Sequence, residues 1–280
     1  MIPLLTGITL LAFAANSLLA RLALGGGLIG PWSYTGVRLA AGALTLAILL
    51  RPRNGPLPGS WPGAAALAAY AIAFSLAYVA LPTGIGALLL FSAVQATMLG
   101  YATLRGKPPS PRALAGIALA AAGLIALLAP APASAQDQIN INPTAALLMA
   151  AAGIAWGIYS LLGRNVSNPA AATAGNFLRT TPLAAIITLA GLAQPGWTWQ
   201  GAALAALSGA IASGIGYALW YRVLPHLSVT QAGAAQLAVP ALAALGGILI
   251  LGEPATPRTL LAGAVTLAGV GYAVLPRRKK

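Results

Sequence analysis

The sequence predicts an all-α integral membrane protein, with ten transmembrane helices arranged as two inverted five-helix repeats. Three observations predict it. Charge is scarce: 15 Lys or Arg and 2 Asp or Glu in 280 residues, or 6% charged, where a soluble domain carries about 25%. Apolar runs of about 20 residues, the length that crosses a hydrocarbon core, recur ten times. The second half of the chain then repeats landmarks of the first in the same order.

A soluble fold is excluded because its surface would be one continuous apolar patch. A disordered chain is excluded by the 59% hydrophobic content. The net charge of +13 does not indicate nucleic acid, because the basic residues sit singly or in small groups between apolar runs. With no Cys, one His and two acids, no metal site, disulfide or cofactor is expected.

The runs lie at roughly 3–23, 31–50, 62–81, 84–104, 112–130, 144–163, 170–190, 200–220, 228–250 and 257–275. Turn chemistry separates them: Gly25-Gly26-Gly27, Pro52 to Pro56, Pro82-Thr83-Gly84, Pro108 to Pro111, Gln194-Pro195-Gly196 and Glu253-Pro254. They do not alternate as membrane strands would, so they are read as helices. No basic stretch precedes the first run, which is expected to be a span and not a cleaved signal. Asn165-Val166-Ser167 fits a glycosylation acceptor only by a common chance pattern.

Lys and Arg set the orientation. With the N-terminus inside, Arg51, Arg53, Arg105, Lys107, Arg112, Arg164, Arg222 and the final Arg277 to Lys280 are cytoplasmic. Arg258 falls outside, Arg21 lies near the edge, and Asp137 and Glu253 occupy outer turns. Both termini are therefore expected in the cytoplasm.

The internal repeat has charged and Trp anchors. Ser17 to Arg21 matches Ser160 to Arg164, Trp61 to Ala64 matches Trp199 to Ala202, Leu81-Pro82 matches Leu224-Pro225, and Gly106 to Arg112 matches Gly252 to Arg258. The expected halves are 1–135 and 140–280. Five spans per half is odd, so the second half enters the membrane upside down, a plan that places a substrate site near the midplane.

Two arginines lie inside spans, Arg38 in the second and Arg179 in the seventh. Burying a guanidinium in a bilayer is costly, which makes each a candidate for holding a substrate carboxylate or phosphate. The competing reading is snorkelling to the headgroups. Asn16, Tyr78, Ser92, Gln95, Trp156, Tyr159, Asn176, Tyr217 and Gln236 complete the candidate substrate-binding set, as polar or aromatic groups deep in spans. Ser92 and Gln95 are expected on one helix face, as are Ser213 and Tyr217. For each of these groups the competing role is hydrogen bonding between helices. Pro240 is expected to kink the ninth span and to serve as a gate hinge or a fixed bend. Gly116, Gly123, Gly263 and Gly269 are expected to let helices approach closely. No acid lies within a span, so no carboxylate proton relay is legible, and downhill export is expected over proton coupling.

The ten spans in two halves, with Gly252-Glu253 at a turn before the glycine-containing last helix and Pro240 in the helix before it, resemble the drug/metabolite transporter superfamily and its EamA-type members. The first half departs from the family pattern, with Lys107 in place of the Glu and Val94 or Gln95 near the position of the proline. Within the superfamily the chain is similar to amino-acid and metabolite exporters of the YddG type. The resemblance implies a bacterial inner-membrane carrier that exports small polar metabolites, amino acids foremost, by alternating access. The alternatives are a carrier of phosphorylated metabolites or nucleotide sugars, and a passive channel. An enzyme is not expected, for want of a metal site, a Cys nucleophile or an acid–base pair within the spans. The expected partners are a small-molecule substrate and the lipid bilayer, not nucleic acid. The chain does not specify an oligomeric state, and a monomer is compatible with it.

Overall fold

A computed structural model describes residues 1–50, 57–128, 142–193, 196–251 and 257–274. In chain order its helices are α1 (Ile2–Ala20), α2 (Pro31–Leu50), α3 (Trp61–Tyr78), α4 (Thr83–Leu104), α5 (Pro111–Leu128), α6 (Pro143–Leu162) and α7 (Pro169–Leu192). They continue with α8 (Trp199–Leu207), α9 (Gly216–Val223), α10 (Val229–Gln236), α11 (Ala238–Leu251) and α12 (Pro257–Val274). A π-helical stretch, Ser208–Ile215, fuses α8 to α9, and Arg21–Gly25 extends α1 in the same way. Only Leu237 interrupts α10–α11. Among the described residues these pieces make ten helical rods, on the ten apolar runs of the sequence. Seven are long and apolar enough to cross a membrane. Asp137, Glu253, Arg51, Arg53, Arg277 to Lys280 and the boundary between the expected halves lie outside the described residues.

The helix starts follow from local chemistry. Pro occupies the first turn of α1, α2, α3, α5, α6, α7 and α12, where its missing N–H costs nothing. Side chains cap the free N–H groups that remain: Ser60 accepts from Gly63 N at 3.0 Å, Asn142 from Ala145 N at 3.1 Å and Thr198 from Gly201 N at 3.0 Å. Ser228 and Gln231 form a reciprocal capping box on α10.

Leu11, Leu44, Ile48, Leu147, Ile186 and Leu189 stand exposed on the outer surface, as a lipid-facing shell requires. Trp61 and Trp199 are exposed at helix starts, where amphipathic rings sit at the headgroup level. The interior is aromatic: Phe13, Tyr34, Tyr70, Phe74, Trp156, Tyr217 and Trp220 are buried.

Helix packing has a regular pattern. α2 lies along α7, and α5 along α12. α3 and α4 both pack on α6, while α8–α9 and α10–α11 both pack on α1. The α5–α12 crossing is close because Gly116 and Gly269 face each other's backbones: a Cβ on Gly116 would lie 2.7 Å from Gly269 O. Gly123 lies equally close to Thr266 N, at 2.7 Å, whereas Gly263 has nothing within 4 Å and takes no part. The connections at 57–60, 105–110, 163–168 and 224–228 gather at one end of the bundle. Leu28 O, which accepts from Thr198 N at 2.9 Å, ties the connections at the other end.

Candidate functional site

At mid-depth α1, α3, α4, α6 and α9 enclose a cavity lined by Phe13, Asn16, Tyr70, Phe74, Trp156 and Tyr217, among others. Its volume is about 10 Å³, room for about one water and less than any amino acid occupies. Phe13 is the hub of its apolar wall, edge-on to Trp156 at 5.2 Å, Tyr217 at 5.8 Å and Trp220 at 5.6 Å.

Arg38 forms the polar wall. The residue is 1% exposed. Nε donates to Ser213 Oγ at 2.9 Å, and Nη2 donates to Tyr217 Oη at 2.6 Å and to Tyr70 Oη at 3.1 Å. The rings of Tyr70 and Phe74 lie 5.1 and 4.8 Å from its Cζ. It reaches this point because α2 presses onto the π-helical stretch through Gly209, where any side chain would strike the Arg38 carbonyl. The wide π turn is itself a feature common at functional sites, and it carries both Ser208 and Ser213.

The hydrogen bonds around Arg38 leave donors in surplus. Tyr70 Oη accepts from Asn16 Nδ2 at 3.1 Å and from Arg38 Nη2 at 3.1 Å and shares a hydroxyl–hydroxyl hydrogen bond with Tyr217 Oη at 3.1 Å, so its two lone pairs are fully used. Asn16 Oδ1 is taken by Ser208 Oγ at 2.6 Å. Arg38 Nη1 is buried without a hydrogen-bond partner. Among the described residues there is no carboxylate to neutralise the charge. A buried cation without a counter-ion, in a site short of acceptors, is chemically matched to a ligand that brings acceptor oxygens and negative charge.

The structure thus brings together Asn16, Arg38, Trp156 and Tyr217 from the sequence-predicted set. Gln236 backs them, accepting from Trp156 Nε1 at 2.6 Å. Tyr159 stacks behind Trp156 at 5.4 Å and is fully buried. Gln95 is buried on α4 with Oε1 and Nε2 both unpartnered, beside Gly233 of α10.

Other members of the set lie elsewhere. Arg179 donates to Gly175 O at 2.8 Å and lies 6.0 Å from the Trp61 ring, at the start of α3. Asn176 accepts from Ser60 N at 2.9 Å at that same junction. Tyr78 donates to Thr83 O at 3.3 Å across the α3–α4 corner. Ser92 and Gln95 do not share a face as expected: Ser92 is exposed and Gln95 is buried. Positions three apart on a helix differ by about 60°, enough to straddle the edge of a buried stripe. Pro240 is buried near the start of α11, three residues past the interruption at Leu237, whose N–H bonds to Ala234 O at 3.1 Å. The cavity residues missed by sequence reasoning are Phe13, Tyr70, Phe74, Leu90 and Phe91, and Ser208 behind them, which bonds Asn16 Oδ1, was missed as well. Tyr70 carried a usable signal, being a tyrosine in the middle of an apolar run, as Tyr217 is.

Comparison with known proteins follows the same lines. The EamA-like transporter family model matches residues 143–275. An uncharacterized protein of Pseudomonas aeruginosa is 50% identical over 98% of this chain and 94% of its own length. The threonine/homoserine exporter RhtA of Escherichia coli K12 is 29% identical, over 90% of this chain and 85% of its own. A solved crystal structure shares the fold, with a TM-score of 0.74 at 24% identity, over 96% of this chain and 98% of that one.

Proposed function

This chain belongs to the EamA-like transporter family of the drug/metabolite transporter superfamily, and from that premise we propose that it exports small amino acids by alternating access through the central cavity. It is a multi-pass inner-membrane transporter and not an enzyme. The observation that carries the substrate reading is the donor surplus around Arg38. A substrate carboxylate takes the unpartnered Arg38 Nη1. Asn16 and Ser208 then address a side-chain hydroxyl, and the faces of Phe13, Phe74 and Trp156 receive the ammonium group. RhtA exports threonine and homoserine by its name, and both fit this description. A phosphate dianion asks for more positive charge than Arg38 alone supplies, and Arg179 is engaged at the α3–α7 junction.

Several features support the alternating-access reading with halves 1–135 and 140–280. Exchanging α1–α5 for the rods α6, α7, α8–α9, α10–α11 and α12 preserves the main packing pairs: α2 on α7 and α5 on α12 map onto themselves, and the main partners of α6 map onto those of α1. Such pairing supports the reading of two halves related by an in-plane twofold axis. The collapsed cavity fits an occluded state, and loading requires the two groups of helices to separate. Pro240 leaves Gln236 O without its helical partner beside the interruption at Leu237, a place where α10 can tilt on α11. The end carrying Arg105, Lys107, Arg112, Arg164 and Arg222 is assigned to the cytoplasm by the positive-inside rule, with both termini there.

The test is efflux and counterflow of a labelled amino-acid panel in proteoliposomes, with and without an imposed proton gradient. Saturable threonine or homoserine flux that ignores the gradient is expected, since no acid lies within a span. Absence of flux for every amino acid overturns the substrate reading. Strong gradient dependence overturns the uncoupled mechanism.

A further inference from the structure

The end of the bundle assigned to the cytoplasm holds a second, larger recess of about 570 Å³. Tyr101, Arg105 and Lys107 from the end of α4 line it, together with Arg164 from the end of α6 and Thr230 from the start of α10. Three cations share this space, and the described residues contain no carboxylate to answer them. Arg105 is held over the Tyr101 ring at 5.4 Å. Arg164 Nη1 is buried and makes no hydrogen bond. Burial also pulls the Arg164 guanidinium below its ordinary range, more than Tyr101 raises it, a sign that the charge lacks compensation. The α10 N-terminus is satisfied by its own capping box, so the unmet donors belong to the side chains.

The position of the recess on the α4–α10 seam matters as much as its charge. Ala102 lies in its wall. One turn deeper Met98, 1% exposed, closes against Gly233, where an added Cβ would lie 3.3 Å from Met98 Cβ. Just beyond lies the unpartnered amide of Gln95, and then Gln236, bonded to Trp156 of the central cavity. The seam therefore runs from a cationic recess, past a thioether plug and a pair of amides, to the Arg38 site.

We propose that this recess is an oxyanion-binding vestibule, in which a carboxylate or phosphate group docks against Arg105, Lys107 and Arg164. That the docked group is the substrate's own carboxylate, waiting for the Met98–Gly233 contact to open, rests on the transport reading above. Guanidinium and ammonium groups are donor-only and charged, which selects oxyanions over neutral solutes. The same chemistry would accept a phospholipid headgroup.

Arginine-specific modification by phenylglyoxal, read at Arg164 by peptide mass spectrometry, tests the site without any transport measurement. The full chain is reconstituted in phosphatidylcholine, and sodium acetate or inorganic phosphate is compared with sodium chloride at equal ionic strength. Either oxyanion at tens of millimolar is expected to slow labelling of Arg164 at least about fivefold, with Arg222 unaffected. The Arg105→Gln/Lys107→Gln variant is expected to lose most of that protection. Protection that appears only when phosphatidylglycerol replaces phosphatidylcholine identifies the headgroup as the oxyanion and removes the waiting-substrate role. Equal labelling in chloride and in both oxyanions, in both lipids and in a phosphate-free maltoside detergent, overturns the vestibule. Where threonine counterflow is present, Arg164→Gln is expected to raise KM about tenfold at unchanged maximal rate, with Arg164→Lys recovering part of the loss. Protection without any amino-acid flux sinks the transport reading and leaves the vestibule standing.

Discussion

Replacing Arg38 with methionine separates a guanidinium that serves a ligand from one that holds helices together. The wild-type group makes three hydrogen bonds, to Ser213, Tyr70 and Tyr217, and leaves Nη1 unpaired in a 1%-exposed position. Removing it strands little. Tyr217 still donates to Tyr70 at 3.1 Å, Tyr70 still accepts from Asn16 at 3.1 Å, and Ser213 can turn back onto its own helix. Methionine fills similar volume and removes a desolvated charge, a change that is neutral or stabilises by ~1–4 kcal/mol in buried ionic sites. Substrate binding changes in the opposite direction. A charge-assisted hydrogen bond to a carboxylate contributes ~1.5–3 kcal/mol, so affinity falls by roughly 10- to 150-fold.

The assay is thermal unfolding of purified protein with and without threonine, beside counterflow in proteoliposomes. A ligand at a hundredfold excess over its Kd stabilises the wild type by ~2.7 kcal/mol. Arg38→Met is expected to keep or raise the unliganded Tm, to lose the threonine-induced rise, and to lose counterflow at submillimolar substrate. A variant that unfolds early yet still responds to threonine with wild-type affinity refutes the reasoning, and Arg38 is then a structural clamp.

Other expectations follow from the same geometry. Tyr70→Phe removes an acceptor that competes with the ligand for Arg38 Nη2 and Asn16 Nδ2, so threonine affinity is expected to hold or rise severalfold, measured by the concentration dependence of the thermal shift, with the aromatic packing against Phe74 and Trp156 retained; a large loss of affinity counts against the acceptor-poor site. Gly209→Ala drives a Cβ into the Arg38 carbonyl, forces α2 off the π-helical stretch, and costs ~1–3 kcal/mol; a Tm drop together with lost counterflow checks it, and an unchanged Tm counts against the close approach. Pro240→Ala restores the N–H that Gln236 O lacks and stiffens the α10–α11 junction, so the maximal rate falls severalfold while KM holds; an unchanged rate makes the junction a fixed bend.

The residues differ in how legible they were, and the differences have causes. Arg38 and Arg179 look equivalent in the chain, both polar intrusions in the second helix of a half. Arg38 points at α9 and Arg179 at the start of α3, because the glycines that permit close approach, Gly209 and Gly175, sit differently around them. Tyr70 was passed over although its chemistry matched that of Tyr217. It becomes central only because α1, α2 and α9 converge on its hydroxyl. Ser92 was paired with Gln95 by spacing alone, and about 60° of helix rotation puts one outside and the other in. Pro182, inside α7, drew no expectation, yet the helix runs through it from Pro169 to Leu192.

The membrane class and the helical runs were determined by the sequence alone, because hydropathy, caps and first-turn prolines are one-dimensional signals read over a few residues. Which residues meet was decided only in three dimensions. In lipid both the buried and the outward faces of a helix are apolar, so no amphipathic stripe records which side turns inward. Cross-helix reach, set by where small residues let backbones touch, then gathers distant hydroxyls and one guanidinium into a pocket that no stretch of the chain encodes.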